Sequence, residues 1–308
     1  MGLTQSYIRL LARQHKLKPF QGPVLTLGRQ AVYATYEQVR EILISEGIEP
    51  QPIDPNQPLT TNIPNWIDTT DSMSKFTSDR IVFQSLGGLS VFALDVSHYE
   101  NADYVADLNF SVQNDIAQKF GLIIDGGTLE HVFDVKQALQ NVNCMLKPGG
   151  TVIHISPGSN CLGHGFYQFS PTLFYDYYGV NGFTNLEGFL LEVKRSNFQN
   201  NYNSKCDCWK WDFQQSYPNV IHNQPIAVYF SAQKTSTSSI DKLPQQGEFS
   251  GQVEGGKMGN ASTTEKVEEV TINKLKDLLP QNSKNFVKRL LGRDLNVKPW
   301  GLEYVGKF

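Results

Sequence analysis

His164 is the side chain best suited to acid–base chemistry in this sequence. It lies between two glycines, and aromatic residues follow at positions 166, 167 and 169. Because an imidazole has an unperturbed pKa of about 6.5, a histidine on such a turn can take a proton from a bound hydroxyl. His131 and His154 are alternatives, but His154 falls inside an apolar run and His131 follows Glu130 near a helix start. We predict that His164 is catalytic and that Tyr167 and His131 contact the substrate.

A second group of candidate residues forms a turn at the end of an apolar strand. Residues 122–124 are apolar, and Asp125, Gly126 and Gly127 follow directly. Open α/β sheets bind ligands beyond the carboxyl ends of their strands, and glycines allow the backbone to approach a ligand closely. The turn is therefore predicted to line a ligand site, although Asp125 can also serve only to form the turn.

The elements around this turn predict one crossover unit of a parallel sheet. Asp134 and Gln137 form a capping-box signature, and apolar residues then recur at helical spacing. The run at 147–150 is expected to stop the helix, and residues 151–155 form the next buried strand. The order strand, turn, helix and strand is typical of a βαβ unit.

The preceding residues supply the other parallel strands. Thr35 and Gln38 form another capping box, and a further helix is predicted over 72–86. Residues 49–71 contain five prolines and are predicted to be an irregular insertion. Strands are predicted at 23–28, 89–95 and 104–106.

The chain divides into four predicted regions. Residues 1–19 form an N-terminal helix that covers the sheet edge, and residues 20–234 form the main domain. Residues 235–265 are rich in Ser, Thr, Gly and Gln and are expected to be a flexible linker. Residues 266–308 form an amphipathic helical tail. Within the main domain, a helix is predicted at 171–178 and strands at 188–194 and 226–232.

The central motif also carries a family resemblance. A strand ending in aspartate, Leu-Glu-His at 129–131, a helix closed by Leu-Lys-Pro-Gly-Gly at 146–150 and a hydrophobic strand follow in order. This set resembles the fourth and fifth strands of class I S-adenosylmethionine-dependent methyltransferases. The resemblance implies an α/β fold with a doubly wound, Rossmann-like sheet, mostly parallel with an antiparallel edge hairpin. It also implies S-adenosyl-L-methionine as the cofactor.

The resemblance further implies where the cofactor binds. Asp95 would accept bonds from the ribose hydroxyls, and the helix starting near Thr35 would bind the methionine carboxylate. Asp95 can instead form a turn or cap, and Asp107 can form a plain Asx turn rather than contact the adenine. The predicted cofactor-binding residues are Gly28, Arg29, Asp95, Val96, Asp107, Leu108, Asp125, Gly126 and Gly127.

The first loop departs from the family pattern. The family sequence resembles Glu/Asp-x-Gly-x-Gly-x-Gly, whereas residues 27–31 read Leu-Gly-Arg-Gln-Ala. A single glycine must then allow the close backbone approach that three glycines allow in the family, or cofactor binding is weakened. The departure keeps open a non-catalytic binding or scaffolding role. A nicotinamide dehydrogenase is disfavoured because Gly-x-Gly-x-x-Gly is missing after the first strand.

The composition indicates which binding partners and which cellular location are expected. The 308 residues carry a net charge of -3, which argues against a general nucleic-acid binder. Cysteine spacing shows no disulfide framework, and Cys206 with Cys208 is too small a ligand set for a structural zinc site. No apolar run is long enough to span a bilayer, so a soluble protein is expected, and the cysteine pattern predicts a reducing cytoplasm as its location. Basic residues in the tail allow a peripheral membrane or protein contact.

These observations predict an enzyme. The expected reaction is methyl transfer from S-adenosylmethionine to an oxygen or nitrogen atom of a small metabolite or sugar. The alternative is the non-catalytic protein with the same fold, since fold analogy does not establish activity.

Overall fold

The computed structural model describes residues 2–54, 76–98, 100–193, 206–211, 224–246 and 302–308. Within these ranges the chain forms five α-helices and eleven β-strands. The helices are α1 (Gln5–Leu17), α2 (Tyr36–Ser45), α3 (Asp79–Gly87), α4 (Val135–Met145) and α5 (Pro171–Val180). The strands are β1 (Val24–Leu27), β2 (Ala31–Thr35), β3 (Phe76–Ser78), β4 (Val91–Asp95), β5 (Tyr104–Val105), β6 (Phe120–Asp125), β7 (Leu146–Ser159), β8 (Thr184–Glu192), β9 (Asp207–Trp211), β10 (Ile226–Gln233) and β11 (Leu302–Lys307).

Nine strands form one sheet in the order β11-β9-β8-β10-β7-β6-β1-β4-β5. The strands from β7 to β5 in this order run parallel to one another. Four antiparallel strands, β10, β8, β9 and β11, extend the sheet beyond β7. The predicted doubly wound sheet with an antiparallel edge is confirmed, and the antiparallel part is larger than the predicted hairpin.

Helices cover both faces of this sheet. Successive residues of a strand point to opposite faces, so each strand contributes side chains to both helical layers. Val24 packs among apolar residues of α1, α2 and α3 on one face. Leu25 and Leu27, from the same strand, pack among residues of α4 and α5 on the other face. The two cores therefore hold the parallel strands between helical layers.

The strand order creates a crevice beside β1. This strand lies at the centre, with β4 on one side and β6 on the other. The chain first builds outward through β4 and β5, and then returns to place β6 on the opposite side of β1. Ligands of open α/β sheets bind at such a reversal of strand order, outside the carboxyl ends of the strands.

The predicted helix starts are present at α2 and α4. Thr35 Oγ1 accepts a hydrogen bond from the Gln38 N–H, and the Gln38 side chain accepts one from the Thr35 N–H. The Asp134 carboxylate accepts the Gln137 N–H at 2.9 Å. Helix α4 ends at Met145, and the run at 147–150 that was predicted as the stop belongs to β7.

The connection between β1 and β4 contains a small sheet that the sequence did not predict. Strands β2 and β3 pair antiparallel, and β2 separates β1 from α2. The helix predicted from residue 72 begins only at Asp79, because the Ser78 side chain caps it by accepting the Ile81 N–H. Residues 55–75, which include most of the predicted insertion, lie outside the described residues.

Helix α1 packs on a face of the sheet and not on its edge as predicted. Its buried residues, among them Ile8 and Leu11, belong to the core under α2 and α3. The Gln14 side chain accepts a bond from the Tyr229 hydroxyl and donates one to Ser231 Oγ. Both partners lie on β10, an interior strand, and this polar contact fixes the helix across the face.

The start of the predicted flexible linker is packed against the main domain. Oδ1 of Asn181 accepts bonds from the Ser239 hydroxyl and the Lys242 N–H. The Tyr177 hydroxyl donates to the Ile240 carbonyl. Buried hydrogen-bonding groups at the end of α5 therefore hold the 235–242 segment, and the expected linker boundary at 235 is wrong.

The end of the predicted helical tail is a strand. β11 pairs antiparallel with β9, and Phe308 is only 4% exposed in the core beneath α1. Phe308 exchanges two backbone hydrogen bonds with Cys206, and its carbonyl accepts the Ser6 hydroxyl. Edge pairing and burial of an aromatic ring thus fix residues 302–308, and the rest of the predicted helical tail, residues 266–301, lies outside the described residues.

Among the residues that the structure describes, none of the helices has the length and hydropathy needed to cross a bilayer.

Candidate functional site

Three loops meet at the carboxyl ends of β1, β4 and β6. Gly28 follows β1 with a φ of +70°, in the left-handed region that favours glycine. A β-carbon on Gly28 would lie 3.3 Å from Thr128 Oγ1 and 3.7 Å from Asp95 Oδ2. The loops therefore form a cradle in which a bare backbone at Gly28 faces the Asp95 carboxylate.

Asp95 is partly exposed at this cradle. Its Oδ1 accepts the Ser97 N–H at 3.3 Å, which is the turn-forming role that the sequence left open, while Oδ2 faces Gly28. The adjacent Val96 is 66% exposed. Burial raises the pKa of Glu100, and the negative charge of Asp95 raises it further. The crevice beside Asp95 is acidic and suits a ligand with sugar hydroxyls or positive charge.

Arg29 is engaged by acidic residues of neighbouring elements. Its Nη2 donates to Asp103 Oδ2 at 2.9 Å and to the Asn101 carbonyl at 2.8 Å, and Nη1 lies 3.7 Å from Asp79 Oδ2. Burial raises the pKa of Asp79, and the Arg29 charge opposes that rise. The guanidinium therefore stabilises the loop after β1, and the predicted contact of Arg29 with the cofactor stays a prediction.

Gln30 fills part of the space between the loops after β1 and β6. Its Nε2 donates to the Leu27 carbonyl at 2.8 Å and to the Gly28 carbonyl at 3.3 Å. Its amide oxygen is buried and has no hydrogen-bond partner within the described ranges, and it leaves no room for a β-carbon on Gly126. The Asp79 carboxylate fixes this arrangement by accepting the Gln30 N–H. The path predicted for the middle of the cofactor is therefore partly occupied by a side chain.

The Asp125 carboxylate is committed to internal bonds. It is fully buried, and Oδ1 accepts the N–H groups of Thr128 and Leu129. Oδ2 lies 2.9 Å from His154 Nδ1, and His154 Nε2 lies 2.7 Å from the Tyr178 hydroxyl. Because a carboxylate only accepts, Nδ1 carries the proton and Nε2 accepts from the tyrosine, whose pKa is raised by burial. Asp125 forms the turn, which is the role that the sequence left open, and its predicted place along the cofactor stays a prediction.

The Asp107 turn has the plain form that the sequence left as an alternative. Asp107 Oδ1 accepts both the backbone N–H and the side-chain amide of Asn109, at 2.9 and 2.8 Å. The Leu108 side chain is buried in the core next to α4, and its carbonyl accepts the Asn141 amide. The Asp107 carboxylate is thus bonded to Asn109, and the predicted contact of Asp107 and Leu108 with the adenine stays a prediction.

Glu130, His131 and His164 come together beside the loop that follows β7. Glu130 is fully buried, and neither of its carboxylate oxygens has a hydrogen-bond partner among the residues that the structure describes. Glu130 Oε1 lies 3.4 Å from His164 Nε2 and 3.9 Å from His131 Nε2. Burial lowers the pKa of His131; Glu130 opposes this, and His164 lowers it further. The two histidines predicted from sequence thus share one buried carboxylate.

The loop after β7 is fixed onto Glu130 by its backbone. The Phe166 N–H donates to the Glu130 carbonyl at 2.7 Å. A β-carbon on Gly165 would lie 2.7 Å from that same carbonyl oxygen, so only glycine allows this approach without displacement. The close contact places the neighbouring His164 over the Glu130 carboxylate.

An apolar wall stands beside the two histidines. The Tyr167 hydroxyl donates to the Phe133 carbonyl at 2.8 Å, and its ring stacks on Phe169 with centroids 5.8 Å apart. The rings of Phe133 and Phe166 are 70% and 65% exposed and meet edge to face. Tyr167 therefore serves as wall, with its hydroxyl already bonded, while the two phenylalanines offer a surface to an apolar or aromatic group.

Sequence reasoning did not identify Gln30, Asp79 or Glu130 as site residues. Glu130 was visible as a carboxylate between Leu129 and His131, and this is the one signal that could have indicated it. Gln30 and Asp79 lie 49 positions apart and become neighbours only through the connection between β1 and β4.

Comparison with known proteins gives distant structural likenesses. No protein-family model and no curated protein matches the chain. A phosphoethanolamine N-methyltransferase 2 of Haemonchus contortus, solved with phosphomonomethylethanolamine and S-adenosylhomocysteine, is 13% identical with a TM-score of 0.40, over 76% of this chain and 54% of its own. The chain thus spans about half the length of that protein.

Two further structures are similar over most of their own length. A SAM-dependent methyltransferase of Archaeoglobus fulgidus is 10% identical with a TM-score of 0.36, over 75% of this chain and 95% of its own. A SAM-dependent methyltransferase of Thermotoga maritima, described as a possible histamine N-methyltransferase, is 14% identical with a TM-score of 0.34, over 73% and 89%.

Proposed function

We propose that this chain binds S-adenosylmethionine in the crevice beside β1 and transfers its methyl group to an oxygen or nitrogen atom of a small metabolite or sugar. The observation that carries the proposal is the cradle at Gly28 and Asp95. A bare backbone there faces a partly exposed carboxylate, at the point where the strand order reverses.

The residues of the cradle fit two parts of this cofactor. Carboxylates bind vicinal hydroxyls through short, charge-assisted hydrogen bonds, so Asp95 would hold the ribose. The left-handed backbone at Gly28 allows close approach without a side chain in the way. S-adenosylmethionine carries a positive sulfonium group, and when bound it supplies an electrophilic methyl group. The negative charge of Asp95 favours such a cation.

The acceptor end of the proposed site lies at the loop after β7. His164 is 41% exposed and stands against the buried Glu130 carboxylate. A carboxylate beside an imidazole stabilises the protonated ring, and so favours transfer of a proton from an acceptor to His164. His131, on the same carboxylate, would contact the acceptor, and the apolar wall at Phe133 and Phe166 would pack against it.

Gln30 favours a second candidate function. Its amide lies across the crevice between Gly28 and Gly126, where the middle of the cofactor is expected. A non-catalytic protein that keeps the sheet as a binding or scaffolding module would tolerate this obstruction. A functional methyltransferase must move or contact the Gln30 side chain when the cofactor binds.

Transfer of a labelled methyl group separates the two candidates. The protein would be incubated with S-adenosylmethionine carrying a tritiated methyl group and with the small-molecule fraction of a cell extract. We expect label to enter extractable small molecules with the wild type, and much less with Asp95→Ala. Cofactor binding without any transfer across varied extracts would favour the scaffolding role.

A further inference from the structure

The complete burial of the Glu130 carboxylate requires an electrostatic explanation. It is 0% exposed, and neither oxygen accepts a hydrogen bond within the described part of the chain. Burying a carboxylate without compensation is strongly unfavourable, so such groups are paired with a cation, coordinate a metal ion or take up a proton. A buried polar group without a partner in a native fold also calls for a specific explanation, and a bound ion is one.

Two imidazole nitrogens lie close to the Glu130 carboxylate. His164 Nε2 is 3.4 Å and His131 Nε2 is 3.9 Å from Glu130 Oε1, and one ligand atom from each residue lies within 4.8 Å of the others. Two ligands at about 2.1 Å from a tetrahedral zinc ion are roughly 3.4 Å apart. The Glu130 and His164 pair already has this separation. His131 is half-exposed, so a small rotation of its side chain can close the remaining gap.

The ligand set is rigid on one side and open on the other. Glu130 is held by the short backbone contact with Gly165 and by the bond from the Phe166 N–H. The side chains of His131 and His164 are 50% and 41% exposed, so an ion can enter from solvent. Two histidines and one carboxylate are a ligand set found at catalytic zinc sites, where the fourth position is left open.

We propose that Glu130, His131 and His164 bind a zinc ion and leave one coordination position open towards the apolar wall. The site rests on ligand geometry and does not depend on methyl transfer. If methyl transfer occurs, an ion here changes the role of His164. A coordinated imidazole has no free lone pair, so the acceptor atom would bind at the open position, and its proton would be lost to solvent because coordination lowers its pKa.

Zinc titration of the tag-free, full-length protein tests this proposal. Calorimetry should give one zinc ion per chain for the wild type at neutral pH. His131→Ala and His164→Ala should each weaken binding by roughly tenfold or more, because even loss of an outer contact to a metal ligand costs that much. His98→Ala is the matched control, since His98 is exposed in the loop after β4, and it should bind zinc like the wild type.

Two further measurements distinguish zinc binding at this site from misfolding of a variant and from nonspecific binding at the protein surface. Zinc should raise the unfolding temperature of the wild type and of His98→Ala, but not that of His164→Ala, because only a specific site stabilises the fold. Co²⁺ should give the intense visible absorption of a four- or five-coordinate ion, and Glu130→Gln should abolish it. Absence of zinc binding to the wild type, or equal affinity in all three histidine variants, would overturn the site.

Discussion

Replacing Gln30 with alanine should strengthen cofactor binding. The Gln30 amide lies between the loops after β1 and β6, in the space that the cofactor is proposed to cross. A ligand that enters this space must displace the amide and break its hydrogen bonds. In Gln30→Ala, cofactor binding breaks no such hydrogen bonds.

The size of the effect follows from the bonds that Gln30 makes. One bond, to the Leu27 carbonyl, is short at 2.8 Å, and the second, to the Gly28 carbonyl, is long at 3.3 Å. The amide oxygen accepts no hydrogen bond from the described part of the chain. Because one good intramolecular hydrogen bond contributes about 1 kcal/mol net, the affinity should rise by about fivefold. The Leu27 carbonyl keeps the bond from the Thr128 hydroxyl, so the substitution leaves no new unpaired group there.

Calorimetric titration with S-adenosylhomocysteine, the demethylated product, would measure this change. Gln51→Ala is the matched control, since Gln51 is exposed in the connection after α2, and its affinity should equal that of the wild type. Unchanged affinity in Gln30→Ala would mean that the cofactor does not pass this side chain. Weaker binding would mean that Gln30 is itself a cofactor contact, and would refute the reasoning.

The other predictions concern the fold and the acceptor site. Phe308→Ala should lower the free energy of unfolding by about 3 to 5 kcal/mol in urea, because it empties a buried ring position, whereas Tyr304→Ala on the preceding strand β11, 48% exposed, should cost much less. Asp79→Ala should destabilise the protein by about 1 to 3 kcal/mol, since it leaves the buried Gln30 N–H without its acceptor while Arg29 keeps Asp103, and an unchanged free energy of unfolding would contradict this. His164→Ala and His164→Gln should each reduce turnover by about 100- to 10,000-fold with cofactor affinity nearly unchanged, and normal turnover in both would remove His164 from the reaction.

The local parts of the fold were predictable because their signals lie within a few residues. The cap at Thr35, the cap at Asp134 and the apolar strand at 122–124 each act on neighbouring residues. Short-range hydrogen bonds and side-chain periodicity determine such elements before any distant contact forms. The order of these elements was then sufficient to predict the parallel sheet.

The errors arose where distant residues decide the structure. β11 is a strand because it finds an open edge at β9, about 90 positions earlier, and nothing within 302–308 indicates this. β2 and β3 likewise depend on each other across some 40 residues. A pairing partner so far away leaves no local pattern, and strand propensity itself depends on context.

The candidate site was predictable by topology but not by side-chain direction. Gly28 and Asp95 end neighbouring strands, so their proximity followed from the sheet order. Arg29 and Asp125 were expected to face a ligand, yet each is engaged by residues from other elements, Asp103 and His154. Which way a loop side chain points is decided by such partners, and the sequence does not display them.

Binding of S-adenosylmethionine by the wild type and by Asp95→Ala tests the central claim most directly. Calorimetry should show saturable binding of one cofactor to the wild type. Asp95→Ala should weaken it by about 1.5 to 3 kcal/mol, roughly 10- to 150-fold, because a charged partner of the ribose hydroxyls is lost. Asp241→Ala, which removes an exposed aspartate after β10, should bind like the wild type. Absence of saturable binding, or equal affinity in a folded Asp95→Ala protein, would contradict a cofactor site at Gly28 and Asp95.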